Sequence, residues 1–116
     1  MTNAIFVVPV KFDLKNPVVY GCVESIIKHH DNPEILIVDS GSDDRSYFEW
    51  CLDHRCKIAS INNKLYSFGA HSWSIRHYSD RDFFYLIMDS VIIQSNLDEF
   101  RERPVTVMRH FSSQVH

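Results

Sequence analysis

Apolar residues recur along this chain in two rhythms, unbroken short runs and three-four spaced stripes, and the two alternate. Ile5-Phe6-Val7-Val8-Pro9-Val10 is a continuous run rich in β-branched residues, the pattern of a strand buried on both faces. Pro9 carries no amide donor and is expected where ladder pairing ends, with a loop over 11–15 to follow. Asn16-Pro17 suits a helix start, Asn as N-cap and Pro in the first turn. Val19, Cys22, Val23, Ile26 and Ile27 then supply an apolar helix face. Lys28-His29-His30 places cations at the helix carboxyl end, and Asp31-Asn32-Pro33 breaks it.

The same alternation continues. Ile35 to Val38 predicts a second buried strand, running into Asp39. A helix is expected over 44–54, with Tyr47, Phe48, Trp50, Cys51 and Leu52 on its apolar side. A weaker strand over 57–61, a polar loop over 62–67 and a helix over 69–78 follow. Phe83 to Met88 is the most apolar segment and predicts a fourth strand ending at Asp89-Ser90, with 91–93 as its extension. A helical turn over 96–101 and a fifth strand over 105–108 complete the reading. Strand and helix alternating with short connections imply right-handed crossovers and a mostly parallel sheet. The predicted fold class is therefore α/β, a three-layer Rossmann-like sheet flanked by helices. Ligands of such sheets bind at the carboxyl ends of the strands. Asp39 and Asp89 each close a strand there, where a core needs no carboxyl group.

Composition narrows the classes. The 116 residues are expected to form a single domain over 1–116, with 45% hydrophobic and 23% charged residues, which is ordinary for a globular protein. The net charge of −3 and the lack of a basic block argue against nucleic acid as a partner. No leader pattern precedes the first apolar run, and no run approaches the ~20 residues that span a bilayer. Three cysteines, an odd number, argue against a disulfide framework. A reduced, cytoplasmic protein is the expectation.

Asp39-Ser40-Gly41-Ser42-Asp43 is the most informative segment. Gly41 allows a tight turn and close approach of the backbone to a ligand. The plain alternative is a strand-to-helix turn in which Ser42 or Asp43 caps the next helix. The segment is neither Gly-x-Gly-x-x-Gly nor a phosphate loop ending in Lys-Ser/Thr. Asp80-Arg81-Asp82 spells Asp-x-Asp but precedes its strand, so it reads as a solvated turn. Cys51, His54 and Cys56 lack the two spaced pairs of a zinc site and read as packing, as does Cys22. Lys11 and Lys64 fall in loops on the predicted ligand side, where either could meet a phosphate. No Gly-x-Ser-x-Gly elbow supports hydrolase chemistry.

In order, the chain presents Pro9-Val10-Lys11, Val38-Asp39-Ser40-Gly41-Ser42-Asp43, Asn62-Asn63-Lys64, Phe68-Gly69-Ala70-His71-Ser72 and Tyr85-Leu86-Ile87-Met88-Asp89-Ser90. This ordered set resembles the nucleotide-binding half of family 2 glycosyltransferases of the GT-A fold, over about residues 4 to 95. The resemblance implies that Pro9 and Val10 line a base pocket and that Asp39 holds uracil or an equivalent base. It implies that Gly69 and His71 face the nucleotide, and that Asp89 is the first acid of Asp-x-Asp, near ribose and metal. The implied cofactor is Mn²⁺ or Mg²⁺. Val91 stands where the second acid would be, which weakens a metal site but leaves one carboxylate and diphosphate oxygens to form it.

The implied activity is transfer of a sugar from a nucleoside diphosphate sugar, UDP-sugar favoured, to a hydroxyl of a glycan, lipid or protein acceptor. The family's acceptor-binding half and its catalytic base are expected to be absent from these residues. A non-catalytic nucleotide or nucleotide-sugar binding module that acts with another chain is the alternative, and association with a membrane periphery or a partner chain is compatible with either. A nucleotidyltransferase would show a Gly-rich basic loop after the first strand, and Lys11 to Lys15 contains no Gly. A receiver-like domain would show paired acids where Lys11 stands.

Overall fold

A computed structural model describes residues 4–61 and 66–100. Its order is β1 (Ala4–Val10), α1 (Val19–His29), β2 (Ile35–Asp39), α2 (Tyr47–Asp53), β3 (Cys56–Ser60), α3 (Tyr66–His77), β4 (Phe83–Leu86) and a 3₁₀ turn, Leu97–Phe100. The four strands form one sheet in the order β3-β2-β1-β4. Every pairing is parallel. The predicted Rossmann-like α/β class is the observed one. The fifth strand expected over 105–108 lies outside the described residues.

Side-chain alternation divides the core into two layers. Phe6, Val8, Val10, Ile35, Ile37, Tyr85 and Ile87 face α1 and α2, where Val19, Cys22, Val23, Ile26, Tyr47 and Cys51 meet them. Ile5, Val7, Leu36 and Val38 face the other way, against Ala70 and Trp73 of α3. Both faces of β1 are therefore covered, which is why its run has no polar alternation. Each such buried aliphatic side chain stabilises the fold by about 1.5–3 kcal/mol.

Pro9 lies within the register, opposite Val38, rather than at its end. The backbone explains the tolerance. Val7 accepts from the Ile87 amide on the β4 side, and Val10 accepts from the Ser40 amide on the β2 side. By strand alternation Pro9 directs its amide position toward β4, whose last pair is Val7 with Leu86. The missing donor falls where β4 has already left the sheet.

Helix boundaries differ from the expected ones. α1 starts at Val19, with Val18 at the N-cap and no side-chain cap. Asn16 instead sits in a turn, its amide donating to the Asp13 carbonyl at 2.9 Å and its carbonyl accepting from Val18 at 2.9 Å. β4 stops at Leu86, and 91–93 does not extend it. The helical turn expected over 96–101 is the 3₁₀ turn.

The amino-terminal rim is closed by a charge cluster. Arg81 grips Glu34 with two bonds, Nε at 2.6 Å and a terminal nitrogen at 2.8 Å, and Lys57 adds a third at 2.7 Å. Tyr78 lies under both cations, 5.7 Å from Lys57 and 5.4 Å from Arg81. The Asp80-Arg81-Asp82 turn thus ties the entry of β4 to the entries of β2 and β3. The Arg81 bonds, with Lys57, hold the Glu34 carboxyl down at about 2, against an ordinary 4.5. A depressed carboxyl contributes stability that is present above pH 4.5 and is lost as pH falls toward 2. Glu34→Gln should lower stability by about 1 kcal/mol at pH 7, with the difference from wild type closing below pH 3, as read by urea unfolding at each pH.

Candidate functional site

β1 lies between β2, reached through α1 on one face, and β4, reached through α3 on the other. The chain's direction of winding reverses between β1 and β4, and a crevice opens at such a switch point beyond the strand ends. A cavity of about 260 Å³ occupies it. Lys11, Phe12, Asp13 and Asn16 of the loop after β1, Val18 and Val19 at the start of α1, and Asp89 and Ser90 after β4 form its wall.

Asp89 is its most perturbed group. Burial is the larger effect and raises its carboxyl from 3.8 to about 6, although its own amide and that of Ser90 donate to it. No cationic side chain is among the causes of that shift. Asp89 and burial together also push the Cys22 thiol of α1 up to about 12, burial first. Lys11 and Asp13 stand exposed at the mouth.

The segment that carries Asp89 is strapped onto α1 by buried side chains. Ser25 donates to the Cys22 carbonyl at 2.7 Å and accepts the Ile93 amide at 2.8 Å. His30 bonds the Ile26 carbonyl through Nδ1 at 3.1 Å and accepts the Leu97 amide on Nε2 at 2.9 Å. An amide donor at Nε2 requires the neutral ring with its proton on Nδ1. Gly21 completes the strap. A Cβ there would lie 3.0 Å from Ile92 Cδ1. His30, read from sequence as a cation at the helix carboxyl end, is a buried anchor.

Asp39 has a different fate. It shares strand parity with Ile35 and Ile37, so its side chain points under α2 and is fully buried. Gly41, at φ 74°, turns the chain back. The Ser42 amide then donates to Asp39 Oδ2 at 3.1 Å, and the Ser42 hydroxyl and Tyr47 hydroxyl both donate to Oδ1, the latter at 2.6 Å. The carboxyl expected to receive a base is closed by protein donors in this structure. Ser42 serves Asp39 rather than capping α2, whose N-cap is Ser46.

The other expected contacts are dispersed. Pro9 and Val10 are buried in the sheet, Val10 within the α1–α2 core, and the wall is made by the residues just after them. Gly69 and His71 lie on α3, across the sheet from α1. His71 meets the Phe84 ring edge-on at 6.3 Å, and its buried Nδ1 has no hydrogen-bond partner among the described residues. Lys64, with Asn62 and Asn63, lies outside the described residues. Asp39 and Asp89 do share one rim and one face, but only Asp89 lines the cavity.

Cys51 donates its thiol proton to Cys56, and that bond with burial holds Cys51 protonated. His54 stacks on Trp50 at 3.8 Å. Among the described residues no set of three His, Cys, Asp or Glu side chains is grouped to hold a metal. None of the described helices is long and apolar enough to cross a membrane.

No protein-family model matches the chain, and no curated protein matches it significantly. Among solved structures it is similar to S. aureus TarS, at 14% identity and a TM-score of 0.57, covering 88% of this chain and 19% of that one. It is similar to TarS 1-349 at 15% identity and a TM-score of 0.55. For TarS 1-349 in complex with UDP the values are 15% and 0.59, covering 88% of this chain and 31% of that one. The chain thus spans less than a third of the proteins it resembles, and the likeness is one of fold.

A carboxyl raised by burial disfavours the ionised folded state, so stability falls as pH rises from 3.8 through about 6. Asp89→Asn should therefore be more stable than wild type at pH 7, by about 1–2 kcal/mol, and equal to it near pH 4, in thermal or urea unfolding.

Proposed function

We propose that the cavity between β1 and β4 binds a nucleoside diphosphate sugar, UDP-sugar favoured, and that the chain is the donor-binding part of a glycosyltransferase. The observation that carries the reading is Asp89: a desolvated carboxyl with no cationic partner behind its shift, in the wall of a cavity at the switch point. The ordered motifs around Asp39, Gly69 and Asp89 support it. So does a fold shared with a protein solved in complex with UDP.

The donor set fits a hard divalent cation shared with phosphate. Asp89 would supply one oxygen ligand and Asp13 stands on the same wall, and such ions use one or two carboxylates, substrate phosphates and water. Mn²⁺ or Mg²⁺ bound there would neutralise charge developing on the departing diphosphate. Lys11, at the mouth, would pair a phosphate oxygen. Asn16 would offer its amide to the sugar or phosphate. The acceptor hydroxyl, a group of a glycan, lipid or protein, would attack the anomeric carbon as that carbon's bond to the diphosphate breaks, the nucleoside diphosphate leaving and the hydroxyl proton passing to a general base.

Val91 at the second acidic position favours a second reading, a nucleotide-sugar binding module that works with another chain. Donor hydrolysis or transfer by the isolated chain distinguishes the two.

Calorimetric titration with UDP, GDP and their sugars, with and without Mn²⁺, tests the site. Uridine nucleotides should bind, and Mn²⁺ should strengthen binding at least tenfold. Asp89→Ala should remove that strengthening. In wild type the metal effect should fade as pH drops below about 6, where Asp89 becomes protonated. An Asp89→Ala variant with the full metal effect would overturn the assignment.

A further inference from the structure

Asp39 cannot reach a ligand without first giving up its bonds to Ser42 and Tyr47, yet those bonds lead to the cavity wall. Two routes run from its Oδ1 to Phe12. Along the first, the Ser42 hydroxyl donates to Oδ1 and accepts the Phe12 amide at 2.7 Å. Along the second, the Tyr47 hydroxyl donates to Oδ1 and its ring stacks on the Phe12 ring, with centroids 4.5 Å apart and planes inclined by 13°. Phe12 also meets Tyr20 of α1 edge-on at 5.9 Å. It is the residue at which this buried network and the cavity wall coincide.

We propose that Asp39 is a positioning residue for the cavity: through Ser42 and Tyr47 it fixes the backbone and ring of Phe12, and with them the loop that presents Lys11, Asp13 and Asn16. The inference rests on the nucleotide-binding reading of the cavity and revises the part Asp39 plays in it. The physical basis is satisfaction of buried donors. The Phe12 amide has its partner in Ser42, whose hydroxyl is oriented to accept because its own proton is committed to Asp39. With Asp39 replaced, the Ser42 and Tyr47 hydroxyl protons lose their acceptor in a site closed to water, and both routes to Phe12 loosen together. Tyr47 is held protonated, by burial first and by Asp39 second, so it remains a donor.

Hydrogen exchange of single amides, paired with UDP titration, tests this in the full chain. Ser42→Ala and Asp39→Ala should each speed exchange of the Phe12 amide roughly tenfold, the effect of one lost hydrogen bond, and leave the sheet amide of Val8 slow. Ser42→Thr restores the hydroxyl and should restore slow exchange. UDP affinity should fall and recover in the same order. Unchanged Phe12 exchange in Ser42→Ala would overturn the proposal. So would an Asp39→Ala variant that loses UDP affinity while Phe12 exchange stays slow, since Asp39 would then be a direct contact. A wild-type chain that binds no UDP removes the nucleotide reading alone, and Phe12 exchange still decides the positioning role.

Discussion

Burial of β1 on both faces is the constraint from which the rest follows. A strand with no polar face must be covered twice, so α1 and α2 occupy one side and α3 the other. Crossing to the far side returns the chain at β4, next to β1, rather than beyond β3. The connections after β1 and β4 then diverge, and the gap they leave is the cavity. Its place is thus a consequence of packing, and its chemistry depends on which polar residues the two divergent segments carry.

The two rim carboxyls show how a common location leads to opposite electrostatics. Asp39 is saturated by hydroxyl and amide donors, and its burial organises the wall. Among the described residues the donors behind the Asp89 shift are adjacent backbone amides, so burial dominates and its carboxyl is raised. A satisfied buried carboxyl serves architecture. A desolvated one gains from any cation or donor that enters. The strap from Ser25 and His30 keeps Asp89 in that state by fixing the chain that follows it over α1.

Much of the fold was legible because its signals are local. Apolar runs of β-branched residues gave β1 and β2, and three-four spacing gave α1. Boundaries were less legible. Asn16-Pro17 has cap chemistry, but the cavity loop uses Asn16 in a turn, and the helix waits until Val19. Asp80-Arg81-Asp82 was recognisable as a turn, while the grip of Arg81 on Glu34, 47 positions away, was not. His30 looked like a helix-end cation, and its role depends on an amide 67 positions later. One signal for Asp39 was available in advance. It shares the two-residue period of Ile35 and Ile37, so its inward direction could have been inferred.

By itself the sequence determined a parallel α/β sheet and a rim bearing Asp39 and Asp89, since strand periodicity and strand-end polarity are properties of neighbouring residues. Only the tertiary structure decided which carboxyl faces the cavity and which is sealed. That choice depends on what packs over each one, Tyr47 of α2 over Asp39 and open space beside Asp89, and such coverage arises from segments far apart in the chain.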